Sequence, residues 1–224
     1  MRSDKEKRIK VMENGPYQVF GATLLKLRPN LNSAGRPVKW ERGQEIDRDE
    51  SYELCRCGAS SNKPFCDWTH VSTDFNGKET ADRAPATTRR KSYEGQGLIM
   101  TDDKTLCVHA GFCVTEKTEV WDLVEQAPDP AARAELIGMI RNCPAGRLEY
   151  AEAPQGSPVE EELPQEIGII EDGPIYVRGG IVVEGSNGES YEVRNRMTLC
   201  RCGASMNKPF CDGRHAEIGF RDKK

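Results

Sequence analysis

The side chains in this sequence whose types and spacing could do chemistry are thiols and imidazoles. Three of its nine cysteines and one of its three histidines fall in the stretch Cys200-Arg201-Cys202-Gly203-Ala204-Ser205-Met206-Asn207-Lys208-Pro209-Phe210-Cys211-Asp212-Gly213-Arg214-His215. A near copy runs from Cys55 to His70, as Cys55-Arg56-Cys57-Gly58-Ala59-Ser60-Ser61-Asn62-Lys63-Pro64-Phe65-Cys66-Asp67-Trp68-Thr69-His70. Both keep the spacing C-x-C-x8-C-x3-H. Thiolate and imidazole ligands select zinc or iron–sulfur centres. A C-x-C pair can bring two sulfurs to one metal if the chain turns tightly, and Gly58 and Gly203 permit that turn. Pro64-Phe65-Cys66 and Pro209-Phe210-Cys211 then bring in a third sulfur. His70 and His215 stand about one helical turn beyond it, so both ligands can face one point. Asp67 and Asp212 are suited to N-cap a short helix there. Ligand type alone leaves a closed structural zinc site and a cluster both open. Disulfides fit less well, because each motif carries an odd number of cysteines.

The repeat is larger than the ligand motif. Residues 9–25 and 167–183 share the frame I-x-[VI]-x-E-[ND]-G-P-x-x-V-x-G. Asn14-Gly15-Pro16 and Asp172-Gly173-Pro174 are turn signals between β-rich runs. Each copy is therefore expected to start strand, turn, strand, and to reach a short strand entering the motif, Tyr52-Glu53-Leu54 and Met197-Thr198-Leu199. A phenylalanine stands five residues beyond each histidine, Phe75 and Phe220. Gly15 to Cys55 spans 40 residues and Gly173 to Cys200 spans 27, so the first copy has a 13-residue longer connection. That excess is expected in an exposed loop over 27–49, which is rich in charge, Gly, Pro and Asn. Arg83 to Gln96, with Arg89-Arg90-Lys91, reads as a polar linker, and Ala153 to Gln165, with Glu160-Glu161-Glu162, as a second one.

Between the linkers lies a small α/β unit, residues 97–152. Leu98-Ile99-Met100, Thr105-Leu106, the run Glu119–Leu123 and Arg147–Tyr150 are expected as strands. Asp129-Pro130 marks a helix start, and Ala132, Leu136, Ile137 and Ile140 share one helical face. Three more cysteines punctuate this unit as C107-x5-C113-x29-C143-Pro144.

The two sixteen-residue stretches resemble the CDGSH iron–sulfur family, whose pattern is C-x-C-x2-S/T-x3-P-x-C-D-G-S/A/T-H. The second copy matches through Cys200, Cys202, Ser205, Pro209, Cys211, Asp212, Gly213 and His215, with Arg214 in place of the small residue. The first matches through Cys55, Cys57, Ser60, Pro64, Cys66, Asp67, Thr69 and His70, with Trp68 in place of the glycine. The resemblance implies one [2Fe–2S] cluster per motif, held by three cysteines and the histidine. It also implies strands shared across a two-fold axis, which a chain with two units can close on itself. The expectation is an α+β fold: a CDGSH unit at 1–82 and another at 166–224 form an intramolecular pseudo-dimer with a β-cap and a cluster-binding region. The middle unit would be an insertion projecting from that body. The segment Cys107-Val108-His109-Ala110-Gly111-Phe112-Cys113 with Cys143-Pro144 resembles the divergent mono-cluster ferredoxin-like family. That resemblance implies a [3Fe–4S] or [4Fe–4S] cluster on Cys107, Cys113 and Cys143, with His109 the nearest candidate for a fourth ligand.

Hydrophobic residues make up 37 % of the 224 and charged residues 30 %, with net charge −4, a balance that points away from nucleic acid. The polar stretch Met1 to Lys10 lacks an apolar h-region, so no secretory signal is expected. No run of about 18 apolar residues suggests a membrane span. Cysteines with metal-type spacing fit a reducing, cytoplasmic setting. No nucleotide-binding glycine fingerprint or nucleophile elbow is present, and a turnover enzyme is not expected. Three functions remain open: electron transfer coupled to histidine protonation, cluster transfer or iron homeostasis, and a structural zinc module. The expected partner is a redox protein or an apo iron–sulfur acceptor, and the chain is expected as a monomer with internal pseudo-two-fold symmetry.

Overall fold

Two Gly-Pro turns set the frame of the molecule. The computed structural model describes residues 7–153 and 156–223; residues 1–6, on which part of the N-terminal reading rests, and Pro154 of the second linker lie outside the described residues. In chain order the first copy forms β1 (Arg8–Val11), β2 (Tyr17–Phe20), β3 (Thr23–Leu31), β4 (Pro37–Glu45) and β5 (Ser51–Leu54). The central segment forms β6 (Lys91–Gly95), β7 (Leu98–Asp102), α1 (Val120–Glu125), α2 (Pro130–Arg141) and β8 (Leu148–Glu152). The second copy forms β9 (Glu166–Ile170), β10 (Ile175–Arg178), β11 (Val182–Glu184), β12 (Arg196–Leu199) and α3 (Arg214–Glu217). In both turns the glycine N–H returns to the carbonyl three residues before it, Gly15 to Met12 O and Gly173 to Ile170 O. Asn14 and Asp172 hold φ of 47° and 52°, a left-handed backbone that Asn and Asp tolerate better than most residues.

The two copies exchange strands. One sheet has the order β11-β1-β2-β5 and the other β12-β10-β9-β3-β4. β3 leaves its own copy and lies parallel to β9, with Leu24 opposite Ile167. β11 returns the exchange and lies parallel to β1, with Ile9 opposite Val183. A single buried cluster therefore mixes Ile9, Val19, Leu24 and Leu54 with Ile167, Val177, Val183 and Leu199. Each of these apolar side chains contributes about 1.5–3 kcal/mol when fully buried, so neither copy keeps its core without the other. The fold is α+β, mostly sheet, and the two copies make one pseudo-symmetric body.

The central segment has its own core, with Leu98, Met100, Val120, Leu136, Ile140 and Leu148 between the sheet β6-β7-β8 and the two helices. Asp129 caps α2 by accepting from Ala132 N–H, and Pro130 opens the helix, as the sequence predicts.

Several expectations are corrected. The segment 27–49 is not a loose loop: it ends β3 and builds β4, a hairpin whose Trp40 indole donates to Asn142 O at 3.0 Å. Its polar outer residues hid a strand that pairs at a sheet edge. Residues 91–95, read as linker, pair with β7 as β6. Arg89 and Arg90, in the basic run, are committed to Asp103 and Glu149. The run 119–123 is not a strand: only Glu119 is extended, and Val120 starts helix α1, in which Val120, Leu123 and Val124 fall on one face at helical spacing. Thr105-Leu106 belongs to a single 3-10 turn. The middle unit does not project. Arg196 of β12, almost fully buried, donates to Ile140 O, Cys143 O and Leu148 O, and so straps the central segment to the body.

Candidate iron–sulfur sites

Each ligand motif is a loop held by its own non-ligand residues, and the two loops are built alike. Ser60 Oγ donates to Phe65 O and Ser205 Oγ to Phe210 O, both at 2.7 Å. Asp67 accepts from Ser61 N–H and Asp212 from Met206 N–H, both at 2.8 Å. One oxygen of each aspartate thus ties the loop back on itself, and the other accepts from the N–H that opens the short helix, Thr69 at 3.1 Å and Arg214 at 3.2 Å, the contact expected from sequence but made from one residue before the N-cap. The residue after each holds a left-handed backbone, Trp68 at φ 67° and Gly213 at φ 89°. The arginine inside each C-x-C was not singled out in the sequence, yet both are buried. Arg56 donates to Met12 O, Gly15 O and Gly77 O. Arg201 donates to Gly173 O and Ile170 O and pairs with Asp222. The conspicuous phenylalanines find their role here, since Phe75 and Phe220 lie under these guanidinium groups at 5.6 and 5.1 Å.

The loops meet back to back at the pseudo-two-fold axis. Cys57 and Cys202 form an antiparallel bridge. A Cβ on Gly58 would lie 2.5 Å from Cys202 O, and one on Gly203 would lie 2.6 Å from Cys57 O. The glycines thus serve the close approach as well as the turn. Tyr17 of the first copy reaches across, with Oη 2.9 Å from both Cys200 O and Pro209 O.

The ligand side chains come together in pairs. Cys55 and Cys57 sulfurs are 3.6 Å apart, and Cys66 Sγ is 3.5 Å from His70 Nδ1. Cys200 and Cys202 sulfurs are 3.8 Å apart, and Cys211 Sγ is 3.3 Å from His215 Nδ1. Two thiolates on one tetrahedral metal lie about 3.8 Å apart, and a thiolate and an imidazole nitrogen about 3.6 Å. Each pair therefore has the bite of one metal. Among the described residues, no group of three or more Cys, His, Asp and Glu side chains is gathered to hold a single metal ion. None of the nine cysteines is in a disulfide.

In each C-x-C pair the first sulfur is the favoured anion, while donation to that partner, with burial, raises the second, Cys57 and Cys202. Donation from Cys57 and from backbone N–H groups lowers the Cys55 thiol to about 6, and Cys202 with its neighbouring amides does the same for Cys200. Burial pushes Cys66 and Cys211 up, against the pull of the N–H groups of Trp68 and Gly213 at 3.4 Å. Burial and the nearby Arg201 charge hold His215 below the ordinary histidine value, which keeps its ring neutral and able to ligate.

The two sites differ in cover. Cys200, Cys202 and Cys211 are all buried, whereas Cys57 and Cys66 are half-buried. Beside site one, Trp68 is 60 % exposed, with its ring 5.5 Å from that of His70. Site two is walled by the central segment, whose Leu106, Val108 and Ala145 pack with Cys211.

In the central segment Cys107, Cys113 and Cys143 share the wall of one cavity of about 500 Å³ with Val108, Phe112, Pro144, Leu148 and His109. Burial raises the Cys113 thiol, and the nearby Cys143 and Cys107 add to the rise. Arg147, also overlooked from sequence, donates to Cys107 Sγ at 3.1 Å while two hydrogen bonds to Asp102 hold it charged. His109 lines this cavity, but its ring rests on Gly213 of motif two. Three thiols and a fixed cation around an apolar cavity suit a cluster.

The family model described as iron-binding zinc finger of the CDGSH type matches residues 14–71 and 172–216. A second, described as a divergent 4Fe-4S mono-cluster, matches residues 93–153. The chain thus carries two CDGSH regions with a mono-cluster ferredoxin-like region between them, and it is an iron–sulfur protein. No curated protein and no solved structure matches it. Among the described residues, no helix is long and apolar enough to cross a membrane.

Proposed function

We propose that the chain is an electron carrier that binds two [2Fe–2S] clusters, one on Cys55, Cys57, Cys66 and His70 and one on Cys200, Cys202, Cys211 and His215. The observation that carries this reading is the division of each motif into two ligand pairs, each with the bite of one metal. Two irons per motif fit that division, and a lone zinc does not. A bound cluster supplies one-electron transfer. The chain supplies the setting: N–H donors at the sulfurs and buried Arg56 and Arg201 temper the negative charge that an added electron brings. A neutral histidine in place of a fourth thiolate moves the potential above that of an all-cysteine site. The histidines face their cysteines through Nδ1, which leaves Nε2 free to take a proton when the site is reduced.

In the central segment Cys107, Cys113 and Cys143 hold a [3Fe–4S] or [4Fe–4S] cluster. The chain works as a monomer, because the strand exchange is already closed within it, and it passes electrons to a protein partner in a reducing, cytoplasmic setting. It performs no turnover chemistry of its own. The half-buried ligands of site one favour a second use, cluster donation to an apo acceptor, at that site and not at site two.

Site-resolved redox titration across pH tests the proposal. Wild type should show a potential that falls with rising pH, approaching about 59 mV per unit for one proton per electron. His70→Cys and His215→Cys should each lower the potential of their own site and largely abolish its slope. A variant with the wild-type slope would mean that the histidine is not the coupled group.

A further inference from the structure

The two motifs are nearly identical in sequence, yet only one of them receives the central segment. His109 sits between Cys107 and Cys113 on a left-handed backbone, with φ of 57°. Its ring lies over Gly213, where a Cβ would overlap Cδ2 and would stand 3.3 Å from Nε2. His109 lines the central cysteine cavity on one side, together with Asp212 of motif two. On the other side it lines a smaller cavity of about 170 Å³ that His215 also borders. Leu106, Val108 and Ala145 continue the contact onto the ligand Cys211, and Asn207 donates to Thr105 O at 3.4 Å.

Motif one carries Trp68 at the position of Gly213. A tryptophan side chain at Gly213 would take the space that the His109 ring fills. The same exchange explains why no second ferredoxin-like surface could seat on motif one in this manner. The glycine of motif two is therefore the receptor for a ring from another part of the chain.

We propose that His109 is a positioning residue that joins the central cysteine cavity and motif two into one coupled unit, and that motif one stands outside it. The proposal rests on reading both as iron–sulfur sites. The ring fixes the loop that carries Cys107 and Cys113 against the wall of Cys211. A change on either side is transmitted to the other through this seam, while site one keeps its own exposed environment. Site two then faces inward, toward the central centre, and site one faces the solvent.

Two variants separate the seam from a general packing role. His109→Asn keeps a residue tolerant of the left-handed backbone and removes the ring. Gly213→Trp puts the residue of motif one into motif two. In the whole chain, hydrogen exchange is followed at 105–111, at 209–215 and at 64–70. Both variants should speed exchange in the first two segments at least ~10-fold and leave the third unchanged. In the iron-loaded chain, both should shift the reduced-state EPR signature and the potential of site two, with site one at its wild-type values. Trp68→Gly should do the reverse. The exchange measurement needs no metal, so failure of the iron–sulfur reading, seen as absence of acid-labile sulfide, is distinct from failure of the seam. Unchanged exchange on both sides, or equal shifts at both sites, overturns the proposal. So does a change confined to the central centre, which would mark His109 as a ligand there.

Discussion

Replacing Tyr17 by Phe removes one hydroxyl and tests whether the first copy braces the ligand loop of the second. Tyr17 is fully buried, and burial pushes its hydroxyl well above the ordinary tyrosine value, so it remains a donor. Its Oη sits 2.9 Å from both Cys200 O and Pro209 O. Pro209 O keeps a second donor, Cys200 N–H at 2.8 Å, so Cys200 O is the group left without its partner. The ring itself stays, with the Arg56 guanidinium 5.2 Å from its centroid. Leaving one buried carbonyl unsatisfied costs about 1–3 kcal/mol. A central value of about 2 kcal/mol should lower Tm by roughly 4–8 °C in a chain of this size. If loss of iron from site two proceeds through local opening of its loop, the same energy speeds that loss by up to about 30-fold. The assay is chelator-driven bleaching of the iron-loaded chain, with the two sites separated by EPR, beside thermal melts. A shift in Tm below about 1 °C, or equal acceleration at both sites, would refute the cross-brace.

Other outcomes follow from the same geometry. Gly58→Ala and Gly203→Ala each combine a left-handed backbone with a Cβ against the opposite loop's carbonyl, at 2.5 and 2.6 Å; iron counts should fall at both motifs in either variant, and loss at one motif alone would contradict the back-to-back contact. Burial raises the Asp222 carboxyl, but Arg201 outweighs it and leaves the group below its ordinary value. The contribution of that pair is thus fully present above about pH 4 and is lost as pH falls through the depressed folded value. Asp222→Asn should therefore be less stable than wild type from pH 5 to 7, with the gap closing in acid; a gap that widens below pH 4 would reverse the sign. Trp40→Ala removes ring contacts with Phe112 at 4.9 Å and Tyr176 at 5.6 Å as well as the bond to Asn142 O. It should cost about 2–4 kcal/mol and open the 32–36 turn to protease, which limited proteolysis would detect.

What the sequence could disclose was whatever repeats or whatever carries a local signal. The Gly-Pro turns and the Asp129-Pro130 helix start act over a few residues, and each appears where it was expected. Strand exchange was legible only through the family resemblance, because β3 and β9 meet across more than a hundred residues of chain. The β4 hairpin was hidden because its outer face is polar, and a strand at a sheet edge need bury little. Helix α1 was hidden because its six residues, apolar at 120, 121, 123 and 124, are too short to tell helix from strand by pattern. Arg56, Arg201, Arg147 and Arg196 look like surface charges in sequence. Their importance lies in carbonyls, carboxylates and sulfurs that only the fold brings to them. The substitution of Trp68 for glycine was visible as a departure, but its meaning depends on His109, which comes from another unit and rests on Gly213.

The most direct test of the central claim is a count of iron, acid-labile sulfide and zinc on a chain in which Cys107, Cys113 and Cys143 are replaced by serine. That variant isolates the two CDGSH sites. Two [2Fe–2S] clusters predict about 4 irons and about 4 sulfides per chain, with the visible spectrum of oxidised binuclear centres. About 2 zinc per chain without sulfide would contradict the account.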